Sequence, residues 1–158
     1  MESVRRATMD DGRRLAALAD ELVESVTAQR GGGFLVASAL DGAGATSLGD
    51  RLASLVDRSD ALVLVGALDE VVVGFAVTTY AADGRGVRWG RLGACFVEEE
   101  ARAVGVGRLL LERSLAWLAD QGCAGVDGSA LPGDRGAKSF FESAGFKARL
   151  LTMHRKLD

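Results

Sequence analysis

Two hydrophobic periods alternate along the chain, and the points where one gives way to the other divide it into elements. Residues 3–8 read as a first short strand. Thr8 followed by Asp11 is a helix-start signature, and Leu15, Leu18, Leu22 and Val26 then fall on one face at helical spacing. Arg30-Gly31-Gly32-Gly33 ends that helix, and Ser47 with Asp50 opens a second one carrying Leu48, Leu52, Leu55 and Val56. Residues 31–46 are rich in Gly and Ala, and Phe34–Leu40 fits a strand, a helix extension or an ordered loop.

The middle of the chain changes to strand period. Ala61–Ala67 is a continuous apolar run, Asp69-Glu70 turns it, and Val71–Tyr80 returns as its hairpin partner. Asp83-Gly84 makes a second hairpin turn into a long strand, Val87–Val97. Val106, Leu110, Leu111, Leu115 and Leu118 mark a helix that Gly122 stops. Cys123–Ala130 is a further strand, and Asp134 caps a short helix holding Ala137, Phe140, Phe141 and Ala144. Gly145-Phe146 ends that helix, and Phe146–Leu157 is expected as a terminal strand. Strands joined by hairpins must be antiparallel, and a strand after a crossover helix runs parallel to its predecessor. The order therefore predicts an α/β (α+β) fold in one domain over residues 1–158. Its mixed, mostly antiparallel central sheet of six to seven strands would carry helices on both faces.

Composition narrows the function classes. With 19 basic against 22 acidic residues and a net charge of −3, nothing draws the chain to nucleic acid or to an anionic membrane. Clusters such as Arg5-Arg6 and Arg13-Arg14 are expected as solvated faces. Cys95 and Cys123 lie in apolar runs, so both are expected as small buried hydrophobes rather than a disulfide or a metal pair. A single histidine, His154, leaves no metal-ligand spacing, and no metal is expected. The N-terminus has no apolar signal segment, and a cytoplasmic location is the expectation.

The richest chemistry lies between Phe96 and Leu111. A strand end and a charged turn lead into Arg102-Ala103-Val104-Gly105-Val106-Gly107, which opens the helix. Such a turn leaves several N–H groups unpaired at the positive end of a helix dipole, a place suited to a phosphate or pyrophosphate. Gly105 and Gly107 let a ligand approach the backbone without a Cβ in the way.

Val4-Arg5-Arg6-Ala7-Thr8 with Asp11, the Arg-x-x-Gly-x-Gly turn and the run Ala137–Phe146 occur in an order and spacing that resemble the GNAT superfamily, the acyl-CoA-dependent N-acetyltransferases. The likeness covers almost the whole chain. It implies acetyl-CoA, or another acyl-CoA, as donor and a small-molecule or protein amine as acceptor, with a tendency to homodimerise. It further implies that backbone groups of Cys95, Phe96 and Val97 pair with the pantetheine arm. An N–H near Val97 would polarise the thioester. Amides of Ala103, Val104, Gly105, Val106, Gly107 and Arg108, behind Arg102, would hold the pyrophosphate. Asp134 stands where the family has an Asn beside the cofactor, Lys138 is one turn further toward a phosphate, and Phe141 lies against the thiol.

Three positions depart from the family. Its tyrosine acid falls on Phe141, and its two glutamate bases fall on Arg91 and Ser129. Asp127, on the same strand face as Ser129, is the substitute base that the sequence offers. Glu98, Glu99 and Glu100 are expected as a solvated turn, Tyr80, Trp89 and Trp117 as packing residues, and Cys95 as inert. Two rival functions stand beside transfer. Gly42-Ala43-Gly44-Ala45-Thr46-Ser47 faintly suggests a dinucleotide loop, although the strands that follow form hairpins rather than βαβ units. The missing acid and bases favour an acyl-CoA sensor or partner-binding module of the same fold.

Overall fold

In the computed structural model, which describes residues 1–39 and 47–158, one five-stranded sheet runs in sequential order. Its strands are β1 (Glu2–Arg6), β2 (Ala61–Leu68), β3 (Val71–Ala82), β4 (Arg88–Val97) and β5 (Gly125–Gly128). The helices described are α1 (Gly12–Thr27), α2 (Gly32–Ala39), α3 (Leu48–Leu55), α4 (Val106–Asp120) and α5 (Arg135–Ser143). The first four strands pair antiparallel, and β5, reached through the crossover helix α4, lies parallel to β4.

β2 is apolar at every position because helices cover both its faces. Val63 and Val65 point to one side, where they meet Leu15, Leu18, Leu52 and Phe75. Leu62 and Leu64 point to the other, where α4 supplies Val106, Leu110 and Leu111. A strand buried on both faces loses its polar alternation, hence the continuous run. Asp69 and Glu70 turn the β2–β3 hairpin with φ of 46° and 69°, the left-handed pair that suits strand twist. At the second hairpin the Asp83 carboxylate accepts from the amides of Arg85 and Val87 and from Trp89 Nε1.

Thr8 and Asp11 form the expected capping box, closing a 3₁₀ turn over Met9–Asp11 that runs into α1. Arg5 clamps it, with Nη1 and Nη2 at 2.7 and 2.8 Å from the Asp11 carboxylate oxygens. Ser47 caps α3 by accepting from the Asp50 amide, again as expected. Of the three structures open to Phe34–Leu40, the helix is realised as far as Ala39. The dinucleotide-like Gly42–Thr46 lies outside the described residues.

Two expectations are corrected. The fifth strand is shorter than Cys123–Ala130 because β4 bulges away from it, leaving Gly125–Gly128 in the ladder. The terminal strand Phe146–Leu157 does not form, so the sheet has five strands rather than six to seven. A strand needs a partner of matching length. β5 offers four residues, and the tail meets it through the ion pair of Arg149 with Asp127, leaving Leu150, Leu151, Met153 and Leu157 exposed.

Candidate functional site

β4 carries an irregularity that opens the sheet. Val77 and Thr78 of β3 pair with Ala94 and Leu92, so Gly93 is an extra residue, a β-bulge. β4 stays paired to β5 from Trp89 to Leu92 and leaves it at that bulge. A cleft of about 1250 Å³ opens between the diverging strands.

The ladder decides which main-chain groups face this cleft. The Glu98 amide donates to the Val73 oxygen at 2.9 Å. Antiparallel alternation then aims the backbone of Phe96 at β3 and that of Cys95 and Val97 at the cleft. Arg102 Nε takes the Val97 oxygen at 2.9 Å, and its guanidinium lies 5.8 Å from the Phe96 ring centroid. Cys95 N–H, Cys95 C=O and Val97 N–H remain directed into the opening.

Beyond β4 a 3₁₀ turn, Glu99–Ala101, leads into the glycine turn. Ala103 at φ 67° and Gly105 at φ 97° curl the chain so that successive amides converge, the geometry of an anion nest. The first helical bond of α4 is Leu109 N–H to Gly105 O. Among the described residues the six amides from Ala103 to Arg108 find no protein acceptor. Gly107 faces Phe140 and Val97, whose atoms would lie 3.6 and 3.7 Å from a Cβ placed there. A diphosphate, which needs several convergent donors at a positive helix end, fits this set of residues.

The other predicted residues are distributed unevenly. Asp134 lines the cleft, but its Oδ1 is occupied in capping α5 through the Ala137 amide at 2.9 Å. Lys138 is turned to the outer face of α5, with its ammonium 3.7 Å from Glu142, and does not line the cleft. Arg135, which the sequence reading passed over, lines the cleft instead. Its signal was its place directly after the capping Asp134. Gly93 was missed as well, although a glycine inside a strand run marks a bulge.

Phe141 lines the cleft and packs its ring on Gly128, where a Cβ would fall 2.6 Å from the ring edge. Ser129 lines the cleft just beyond β5. Asp127 is exposed and does not, and both its oxygens are held by Arg149, at 2.8 and 2.6 Å. Arg91 donates to the Ser38 carbonyl. Glu98 is tied to Arg14 at 2.7 Å, so this member of the acidic turn is anchored rather than solvated. Tyr80 packs against Trp117 and hydrogen-bonds Gln121, the packing role expected of it. Trp89 is partly exposed at the hairpin, and His154 lies exposed in the tail.

Cys95 lines the cleft with its sulfur 3.9 Å from the Gly107 oxygen. Desolvation pushes its thiol up to about 12, so it stays protonated at neutral pH and is a poor nucleophile. Among the described residues no three His, Cys, Asp or Glu side chains gather as a metal site, and no helix is long and apolar enough to cross a membrane.

Comparison with known proteins adds the following. A sequence model of the acetyltransferase (GNAT) family matches residues 32–146. No curated protein matches significantly. Among solved structures, a mutant of the BH1408 protein from Bacillus halodurans superimposes with a TM-score of 0.81 at 21% identity, covering 98% of this chain and 99% of that one. The ribosomal-protein-alanine N-acetyltransferase of Brucella melitensis biovar Abortus 2308 does so with a TM-score of 0.69 at 14% identity, covering 100% of each chain. An aminoglycoside acetyltransferase from an uncultured soil metagenomic sample gives 0.70 at 15%, covering 99% of this chain and 97% of that one. At such identities these likenesses show a shared fold.

Proposed function

The chain belongs to the GNAT acetyltransferase family, and from that premise we propose that it moves an acetyl group from acetyl-CoA to an amine by direct attack in a ternary complex. The observation that carries this reading is the row of six unbonded amides, Ala103 to Arg108, placed beside the open main chain of Cys95 and Val97. The amides and the dipole of α4 would hold the diphosphate, with Arg108 and Arg135 at the same end of the cleft. The cleft-facing main chain of β4 would pair with the pantetheine amides as an added strand does.

Acetyl-CoA supplies an activated acyl group on a thiol that departs readily. The protein holds the reacting groups together and offers the Val97 amide to the thioester oxygen, while the Cys95 main chain pairs with the pantetheine arm. The amine nitrogen forms the C–N bond as the C–S bond breaks. The electron pair leaves on sulfur, and the amine's proton passes to solvent or to the thiolate. The protonated Cys95 thiol argues against an acyl-enzyme and for direct transfer. Two unpaired cysteines accord with the cytoplasmic location expected from the sequence.

A second reading, an acyl-CoA sensor without turnover, is favoured by the residues at the usual proton-transfer positions: Phe141 has no proton to give, and Arg91 is bound to Ser38. One experiment separates the two. Acetyl-CoA at about a hundred times its Kd should stabilise the fold by about 2.7 kcal/mol. Thiol release with a panel of amines then reports transfer. A melting temperature that acetyl-CoA leaves unmoved would reject both readings. Stabilisation with no thiol release on any amine would select the sensor.

A further inference from the structure

Among the described residues the cleft is charged at one end only. Its lining cations and anions, Arg102, Arg108, Glu112, Asp134 and Arg135, belong to the glycine turn, α4 and the start of α5. The opposite end is walled by Leu22 and Val26 of α1, Leu35 and Val36 of α2, Leu48 of α3 and Leu131. Its polar lining there is neutral: Ser25, Gln29 and Ser129. Among the described residues no carboxylate or imidazole lines that end. The nearest charge on β4, Arg91, is directed to the Ser38 carbonyl.

We propose, resting on the acetyltransferase reading, that this end receives the acceptor and that the acceptor is an apolar primary amine, carrying its nitrogen on an aromatic or aliphatic body. Three observations point the same way. Leu35 and Val36 are half-buried and face a cavity, so a ligand that covers them removes apolar surface from water. A polycation entering there would shed water, with no anion among the described lining residues to receive it. A desolvated ammonium is disfavoured against the neutral amine, so the same walls that bind the body also present the nucleophilic form. That compensates for the lack of a base at Arg91, Ser129 and Asp127. Among the described residues the charged groups toward this end are Arg91 on β4, which donates to the Ser38 carbonyl, and, at the start of α5, Arg135 and Asp134, whose carboxylate caps that helix.

The test uses the full chain saturated with coenzyme A, so that it does not depend on turnover. Titration with 2-phenylethylamine, hexylamine and spermidine should show the two apolar amines binding at least about tenfold tighter than spermidine. Val36→Glu, at a half-buried position, should reverse that order while the stabilisation by coenzyme A persists; Val36→Ala, a smaller change, should weaken the apolar amines alone. Equal or tighter binding of spermidine, or no binding of either apolar amine, would overturn the proposal. Loss of coenzyme A binding in the unsubstituted chain would instead remove the acetyltransferase reading beneath it.

Discussion

Arg102 reaches back across its own turn to donate from Nε to the Val97 carbonyl at 2.9 Å. That bond joins the end of β4 to the start of the anion nest, the two parts of the proposed cofactor site. It also takes up one of the main-chain acceptors that the strand would otherwise turn to the cleft. Arg102→Ala should therefore loosen the turn without unfolding the chain. A hydrogen bond of this kind contributes about 1 kcal/mol. Acetyl-CoA affinity measured by calorimetry should fall by roughly five- to tenfold, and Arg102→Lys, lacking the planar fork, should recover only part of it.

Gly107 stands where α4 faces the cleft, beside Phe140 and Val97. A Cβ there makes ordinary contacts, but the branched carbons of valine would crowd the turn proposed to hold the diphosphate. Gly107→Val should abolish the rise in melting temperature with acetyl-CoA while leaving the unliganded melting temperature nearly unchanged. Gly105→Ala should do the reverse, costing about 1–2 kcal/mol of stability, because φ at Gly105 is 97°. An undiminished ligand shift in Gly107→Val would place the phosphate site elsewhere.

Phe141 stands where the resemblance to the family implies a tyrosine acid, and it lines the cleft. Phe141→Tyr adds a proton donor there, on the ring edge that packs against Gly128. The expected result is a several-fold higher turnover with unchanged acetyl-CoA affinity, read by thiol release under saturating donor. Equal turnover would mean that thiolate protonation does not limit the rate.

Asp127 lies outside the cleft, both oxygens engaged by Arg149. Asp127→Asn should change turnover by less than about twofold. Since the pair is exposed, stability should shift by no more than about 1 kcal/mol. A large loss of kcat would restore Asp127 as the base.

Acid should reveal the Arg5–Asp11 clamp. The Arg5 guanidinium, followed by the Thr8 amide, holds the Asp11 carboxyl down at about 2, against an ordinary value of 3.8. A group whose pKa is depressed by folding contributes stability above its unfolded value and loses it as pH falls through the folded one. The contribution, on the order of 2 kcal/mol, should be nearly complete near pH 5 and be lost progressively between about pH 4 and 1. Asp11→Asn should lower the melting temperature at pH 7 and flatten that limb of the stability curve. An unchanged acid limb would show the clamp to be neutral.

The order of elements from β1 to α5, α2 apart, the hairpins at Asp69-Glu70 and Asp83-Gly84, the caps at Thr8, Ser47 and Asp134 and the glycine turn from Ala103 to Arg108 were legible in the residues. Each depends on contacts within a few positions: a side chain that caps its own helix, a glycine that frees its own φ. What needed three dimensions was everything set by strands meeting. That Cys95 and Val97, and not Phe96, turn their main chain to the cleft follows from the parity of the β3–β4 ladder and the bulge at Gly93. That Lys138 faces outward while Arg135 faces inward follows from how α5 is rotated against β5. Asp127 shared a strand with Ser129 on paper, yet Arg149, distant along the chain, took its carboxylate. The terminal strand failed for the same reason. Alternation in Phe146–Leu157 records a capacity to pair, but a ladder exists only where another strand presents a free edge of sufficient length, and no local pattern encodes that edge.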